Sequence, residues 1–119
     1  MLEATRCISY LTIEAKGEIP DEFREAIGEL IYGCDICQDV CPWNISFSQE
    51  LKTPEFAMRA TLRAEDTRAL ARKLMAMDDA GFRASFRGSP MKRPQPPGLA
   101  RNAAHVPGNR GNDGDRPRP

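Results

Sequence analysis

The sequence predicts a small, mainly α-helical protein that ends in a disordered tail. Apolar residues recur at three- and four-residue spacing in several stretches before Gly88, and no stretch of useful length alternates as a β-strand does. From Gly88 onward, 12 of 32 residues are glycine or proline, which disfavours regular structure. With 119 residues, the chain is long enough for one core.

Two helices are predicted before the main cysteine motif. The first covers residues 5–15, with Gly17 as its stop. Pro20 is expected as the first residue of the second, followed by acidic side chains that favour the positive end of a helix dipole. Gly33 is expected to end this helix, whose apolar face comprises Phe23, Ala26, Ile27, Leu30 and Ile31.

Three further helical segments are predicted after the cysteines. Residues 65–77 form an amphipathic helix, and Asp78 or Asp79 caps another that carries Phe82 and Phe86 and stops at Gly88. A short helical segment is expected near residues 99–104.

The stretch between the cysteine motif and these helices is expected to be irregular. Residues 34–41 should form a compact turn or short helix closed by Pro42, and residues 43–60 a loop. We therefore divide the chain into a segment with all four cysteines (1–50), a helical basic segment (51–105) and a disordered tail (106–119).

The charges are distributed unevenly along the chain although the net charge is zero. Residues 1–50 carry three basic and ten acidic side chains, whereas residues 51–119 carry fourteen basic and seven acidic ones. A basic C-terminal half suits a polyanion such as a nucleic acid; the alternative is two solvated surfaces of opposite sign.

Two classes of protein are disfavoured by the hydropathy pattern. No apolar run approaches the roughly 20 residues of a membrane span, so we expect no membrane partner. Met1 is followed by Leu2 and Glu3 rather than by a basic and then apolar stretch, so no secretory signal is expected. The sequence therefore predicts neither a membrane protein nor a secreted one.

The cysteines carry the chemistry. Cys34, Cys37 and Cys41 form a C-x2-C-x3-C-P motif, and such spacing in a protein without a secretory signal favours metal ligands over disulfides. A zinc site, as in a zinc-stabilised RNA-binding module, needs two well-spaced ligand pairs. Cys7 is isolated, and the single histidine, His105, falls near the predicted tail, so iron–sulfur chemistry fits better than zinc.

Bacterial ferredoxins carry a C-x2-C-x2-C-x3-C-P run whose last cysteine binds the other cluster of a pair. Here Cys7 would replace the missing first cysteine, so Cys7, Cys34 and Cys37 would bind one [4Fe–4S] cluster and Cys41 a second. The predicted fold is then the second half of a ferredoxin-like double [4Fe–4S] module, followed by short helices and the tail. The alternative is one cluster on all four cysteines, as in a stand-alone ferredoxin-like electron-transfer module.

Four stretches of the sequence resemble epoxyqueuosine reductase. They are RCISYLTIE (6–14), IYGCDICQDVCPWN (31–44), FRASFRGSPMKR (82–93) and GLARNAA (98–104), in the order and spacing of that family. The resemblance implies a cytoplasmic cobalamin and double [4Fe–4S] enzyme that reduces epoxyqueuosine to queuosine in the anticodon loop of tRNA. It also implies the same division of the cysteines, three on one cluster and Cys41 on the other.

The resemblance suggests further contacts. Ser9 and Asp35 lie beside cluster ligands and are candidate cobalamin contacts; the alternative is hydrogen bonding to nearby backbone amides. Phosphate contacts come mostly from lysine and arginine. The candidate tRNA contacts are Arg83, Arg87, Lys92, Arg93 and Arg101.

Two parts of the family pattern are missing. The upstream part, with the cobalamin-binding domain, the catalytic acid and the first cysteine run, is absent, as is the helical repeat that normally follows Arg101 and Asn102. We therefore expect a fragment with no catalytic residue of its own, which needs the missing upstream portion as a partner and is inactive alone.

Overall fold

The computed structural model describes residues 1–109, and within this range the protein consists of helices and turns without β-strands. This confirms the mainly α-helical prediction. The helices are α1 (Ile8–Ile13), α2 (Asp21–Ile27), α3 (Ile36–Asp39), α4 (Pro42–Phe47), α5 (Thr67–Met75), α6 (Asp79–Ser85) and α7 (Gln95–Asn109). Single 3-10 turns occur at Ala4–Arg6, Pro54–Phe56, Ala60–Leu62 and Pro90–Lys92. In this described range, no helix combines the length and the apolar character needed to cross a bilayer.

The main hydrophobic core lies where α5 and α6 pack against α7. Phe82 and Phe86 meet edge to face with ring centroids 5.2 Å apart, an arrangement that aromatic pairs favour. The buried cluster consists of Ile31, Ala71, Leu74, Phe82, Phe86, Leu99, Ala103 and Val106. Asp78 caps α6 as predicted, because its carboxylate accepts a hydrogen bond from the Gly81 amide. Helix α5 starts at Thr67 rather than at residue 65, and Asp66 caps it by accepting from the Ala69 amide.

A smaller core lies between α1 and α2. Leu11, Ile19 and Ile27 are buried there, with Ile8, Ala15, Phe23 and Leu30 packed around them. This second core fixes α1, the helix that directly follows Cys7, against α2.

Helix α2 ends earlier than the sequence predicts. Its last residue is Ile27, and Gly28 follows with φ of +57° and ψ of −120°, a conformation essentially restricted to glycine. The expected stop at Gly33 was therefore wrong. Ile31 nevertheless faces inward, because the chain after Gly28 turns it into the main core.

The prolines mark helix starts where the sequence analysis expected interruptions. Pro42 does not close the cysteine turn but is the first residue of α4, a position where its missing N–H costs nothing. The expected loop over residues 43–60 therefore begins with a helix. The first predicted helix is likewise interrupted, because Cys7 has extended backbone between the turn at Ala4–Arg6 and α1.

The largest difference concerns the segment after Gly88, which was expected to be extended apart from residues 99–104. It instead forms a 3-10 turn and the 15-residue helix α7, whose first turn accommodates Pro96 and Pro97. Leu99, Ala103 and Val106 lie about one helical turn apart on its buried side, and their burial stabilises the helix. The predicted tail boundary at 106 thus falls inside α7, and residues 110–119 lie outside the described residues.

Candidate metal centre

The four cysteines lie at or near the starts of short helices, and all four are free thiols. Cys7 directly precedes α1, Cys37 lies within α3, and Cys41 directly precedes α4. Cys34 lies two residues before the start of α3. Cys7 and Cys37 are exposed, whereas Cys34 and Cys41 are half-buried, so each thiol is accessible to some degree.

The start of α1 changes the acidity of Cys7. The polar backbone N–H groups of Tyr10 and Ser9 lower the pKa of the Cys7 thiol below its ordinary value. The Ser9 side chain acts in the same direction and contributes least. Because the thiolate rather than the thiol is the metal ligand, this environment favours metal binding by Cys7.

Two hydroxyls of α1 hold the backbone that leads to Cys34. The Ser9 hydroxyl accepts from the Cys34 amide at 3.0 Å and donates to the Cys34 carbonyl at 3.2 Å. One turn later, the Thr12 hydroxyl accepts from the Gly33 amide at 2.9 Å and donates to the Ile8 carbonyl at 2.8 Å. The helix that follows Cys7 is thereby hydrogen-bonded to the residue that carries the second predicted ligand.

Helices α3 and α4 are joined by polar side chains of the cysteine motif. The Asn44 amide nitrogen donates to the Gln38 carbonyl at 3.1 Å and to the Gln38 side-chain oxygen at 2.8 Å. The Gln38 amide in turn points at the Cys37 sulfur, 4.0 Å away. Trp43 and Phe47 stack on the exposed side of α4 with centroids 5.6 Å apart.

Helix α7 reaches both cysteine-bearing segments through Asn102. Its side-chain nitrogen donates to the Thr12 carbonyl at 2.6 Å and to the Ile31 carbonyl at 2.9 Å. Its oxygen accepts from the Arg101 guanidinium at 2.9 and 3.1 Å. The amide group of this buried side chain therefore has partners for all its polar atoms, as buried polar groups require.

Arg101 is directed into the protein rather than toward a ligand. Its guanidinium donates to the carbonyls of Leu11, Ala15 and Gly17 at distances of 2.7–2.9 Å, which satisfies acceptors at and beyond the C-terminal end of α1. Burial lowers its pKa from the ordinary arginine value. Of the five predicted tRNA contacts, this one has its donors engaged within the chain.

The other four basic residues lie nearer the surface. Arg83, Arg87 and Arg93 are exposed, and Lys92 is half-buried. Arg93 forms an ion pair with Glu14. The loop that carries Arg87 is held by Arg59, whose guanidinium donates to the carbonyls of Ser85 and Arg87, both at 3.0 Å.

A surface hollow of about 440 Å³ lies beside Cys34, and its lining includes both candidate cobalamin contacts, Ser9 and Asp35. The Ser9 hydroxyl is occupied by the Cys34 backbone, which matches the alternative of local backbone bonding. Asp35 directly precedes α3, yet its side chain makes no capping hydrogen bond to that helix. Its carboxylate is exposed.

The donor set fits an iron–sulfur cluster in its chemistry. It offers four free thiols, one of them with a lowered pKa, and Ser9, two residues after Cys7, is hydrogen-bonded to the Cys34 backbone. Within residues 1–109, however, no three Cys, His, Asp or Glu side chains converge in an arrangement that could hold a metal ion. The structure thus holds the first turn of α1, which directly follows Cys7, against the Cys34 backbone without assembling a complete site among the described residues.

Residues 1–44 match the family model of a 4Fe-4S double cluster binding domain. The chain is 46% identical over 92 residues to the epoxyqueuosine reductase of Xanthomonas campestris, an alignment that covers 77% of this chain and 24% of the relative. The chain is homologous to epoxyqueuosine reductases.

Solved structures of epoxyqueuosine reductases share this fold. The enzyme from Bacillus subtilis aligns with a TM-score of 0.66 at 36% identity, over 91% of this chain and 27% of its own. An epoxyqueuosine reductase in complex with an epoxyqueuosine-modified tRNA-Tyr stem loop aligns with a TM-score of 0.65 at 32% identity, over the same shares. The chain spans about a quarter of the length of the relatives it matches.

Four residues that hydrogen-bond the cysteine-bearing segments were not predicted from the sequence. Thr12 and Asn102 are both buried polar residues, and Gln38 and Asn44 connect the two motif helices. The available signal was a polar residue inside an apolar helical face, since Thr12 lies among Ile8, Leu11 and Ala15. Asn102 lay in a stretch that resembled epoxyqueuosine reductase, but its partners are about 70 and 90 residues away and no local pattern reveals them.

Proposed function

We propose that this chain supplies the iron–sulfur portion of an epoxyqueuosine reductase. Cys7, Cys34 and Cys37 bind one [4Fe–4S] cluster, and Cys41 binds a second. The observation that carries this proposal is the pair of hydrogen bonds between the Ser9 hydroxyl and the Cys34 backbone, because Ser9 lies two residues after Cys7 in the first turn of α1. These two ligands are far apart in sequence, yet the fold holds them beside the same helix turn.

The clusters, when bound, supply one-electron transfer. The residues of this chain bind and orient them. Backbone amides at the start of α1 lower the pKa of Cys7 and so favour the thiolate that a cluster requires, and the Gln38 amide lies 4.0 Å from the Cys37 sulfur. The activity proposed for the complete protein is reduction of epoxyqueuosine to queuosine in tRNA.

A cobalamin contact is proposed at the hollow beside Cys34. Asp35 is the better of the two candidates, because its carboxylate is exposed and does not cap α3. Ser9 lines the same hollow, but its hydroxyl is bonded to the Cys34 backbone. Its role is therefore proposed to be indirect, through the position of Cys34.

The chain is proposed to act together with an upstream portion. Two [4Fe–4S] clusters need four thiolates each, and this chain contains four cysteines in all. The remaining ligands must therefore come from polypeptide outside these 119 residues. On this proposal, the chain alone does not reduce epoxyqueuosine, and conversion of modified tRNA by the purified chain with cobalamin and a reductant would contradict it.

tRNA is the proposed partner of the basic loop around Arg87. Arg83, Arg87 and Lys92 lie on α6 and the segment that follows it, and the sequence has no acidic residue from Arg83 to Asn112. The relative bound to a tRNA stem loop supports this assignment. Arg87→Ala and Lys92→Ala should weaken binding of a tRNA anticodon stem loop and flatten its salt dependence by about one counterion each. Lys52→Ala is the matched control, and an unchanged salt slope in Arg87→Ala would contradict the assignment.

The iron–sulfur proposal is tested by anaerobic iron and acid-labile sulfide analysis, with EPR after reduction. Low iron in the chain alone, which rises when an upstream fragment with the missing cysteines is added, supports ligands shared between two clusters. About four irons per isolated chain would instead indicate one cluster on four cysteines, the electron-transfer alternative. Cys37→Ser should lose iron in either case, and zinc without sulfide would overturn both.

A further inference from the structure

Helix α7 does more than complete the core. We propose that Asn102, with Arg101, is a positioning residue for the cluster ligands: it locks α1, which follows Cys7, to the segment that ends at Cys34. The proposal rests on the assignment of these cysteines as ligands, and it gives a role to the stretch at residues 98–104, which no cysteine explains.

The lock begins at a buried amide. Asn102 is 1% exposed, and its two N–H groups are divided between the Thr12 carbonyl of α1 and the Ile31 carbonyl of the following segment. Because a single planar amide donates to both segments, it fixes the distance between them. Arg101 donates to the Asn102 oxygen and so fixes which way the amide faces, with its nitrogen toward the two carbonyls.

The lock continues through Thr12 to Cys34. Thr12 is 0% exposed, and its hydroxyl accepts from the Gly33 amide while Asn102 holds its carbonyl. Ser9, three residues earlier on the same helix face, binds the amide and the carbonyl of Cys34. The chain of contacts therefore runs from α7 through two hydroxyls to the backbone of a ligand.

These hydrogen bonds bear on the long separation in sequence between the two predicted ligands. Cys7 and Cys34 are separated by 27 positions, so closing that loop around a cluster costs conformational entropy that a local motif does not. Because the fold already fixes both segments, this conformational entropy is lost during folding rather than during metal binding. Outer contacts of this kind commonly change metal affinity by roughly 10–100-fold when they are removed.

The test uses amide hydrogen exchange on the metal-free full chain, with isosteric variants. Thr12→Val should speed exchange of the Gly33 amide by about tenfold while amides in α5 keep their rates, since one buried hydrogen bond is lost. Thr12→Ser, which retains the hydroxyl, should restore protection. Thr53→Val, at an exposed threonine that makes no cap bond, is the matched control and should leave Gly33 unchanged.

Asn102→Leu tests the origin of the lock. It should speed exchange at both Gly33 and Cys34, and unchanged rates there would overturn the proposal. If Asn102→Leu unfolds as a whole, amides throughout α5 will also exchange faster. Thr12→Val then decides the question: an unchanged exchange rate of the Gly33 amide in that variant rejects the proposed lock.

A second readout separates this proposal from the proposed function. In the cluster-loaded chain, supplied with the upstream fragment where needed, Thr12→Val should lose iron to a chelator about tenfold faster than the unaltered chain. Equal loss rates would overturn the positioning role. If the unaltered chain with that fragment binds no iron, the assignment of the cysteines as cluster ligands fails. The lock then has no ligand-positioning role, even if the variants change the amide exchange rates.

Discussion

Two regions of the molecule are held together in different ways. From residue 71 to Val106, α5, α6 and α7 contribute most of the main buried cluster, which we call the helical core. Between residues 32 and 66, which carry three of the four cysteines and which we call the cysteine region, no residue is buried. The large apolar side chains exposed there include Ile36, Val40, Trp43, Ile45, Phe47 and Phe56.

The two regions differ in how much apolar surface they bury. The helical core is stabilised by packing, whereas α3 and α4 in the cysteine region are held by hydrogen bonds such as those between Asn44 and Gln38. Hydrogen bonds of this exposed kind contribute little net stability. On the proposed function, cluster binding supplies the order that packing does not supply there, as in other small metal-binding domains.

The difference between the two regions is tested most directly by truncating one aromatic side chain in each. Phe86→Ala removes a side chain that is 0% exposed and leaves a cavity, so it should lower the free energy of unfolding by about 3–5 kcal/mol. Phe56→Ala, at a residue 72% exposed, should change it by less than about 0.5 kcal/mol. Urea unfolding followed by far-UV circular dichroism measures both.

Similar losses in the two variants would show that the cysteine region is packed more tightly than its exposure indicates. A small loss for Phe86→Ala alone would mean that the helical core rearranges to fill the cavity.

A smaller effect should separate the helix caps of the two regions. The Asp78 carboxylate accepts from the Gly81 amide at 2.7 Å at the start of α6, so Asp78→Ala should cost about 1 kcal/mol of unfolding free energy. Asp35 stands at the equivalent place before α3 without a cap bond, so Asp35→Ala should cost less than about 0.5 kcal/mol. Thermal or urea unfolding of the metal-free chain measures the pair, and an Asp35 cost equal to that of Asp78 would contradict the contrast.

The sequence predicted the helical core well because its signals are local. The spacing of Phe82 and Phe86, the acidic cap at Asp78 and the apolar stripe of α5 all lie within single helices. The class of site was predictable for the same reason, since the cysteine spacing is a short motif. Its chemistry did not depend on knowing the fold.

The errors arose where tertiary contacts outweighed local preference. Pro42, Pro96 and Pro97 were interpreted as breaks, but each lies at the start of a helix where a proline is tolerated. Burial of Leu99 and Val106 then stabilises α7 beyond what its composition indicates. The contacts of Asn102 join residues far apart in sequence, so they became visible only in the structure.

The position of Trp43 has a practical consequence for spectroscopy. It is the only tryptophan in the chain, it follows Cys41 by two residues, and it is 71% exposed on α4. Its fluorescence therefore reports on the cysteine region and is nearly silent about the helical core. Quenching of this one fluorophore would follow metal loading in real time, while circular dichroism independently follows the unfolding of the helices.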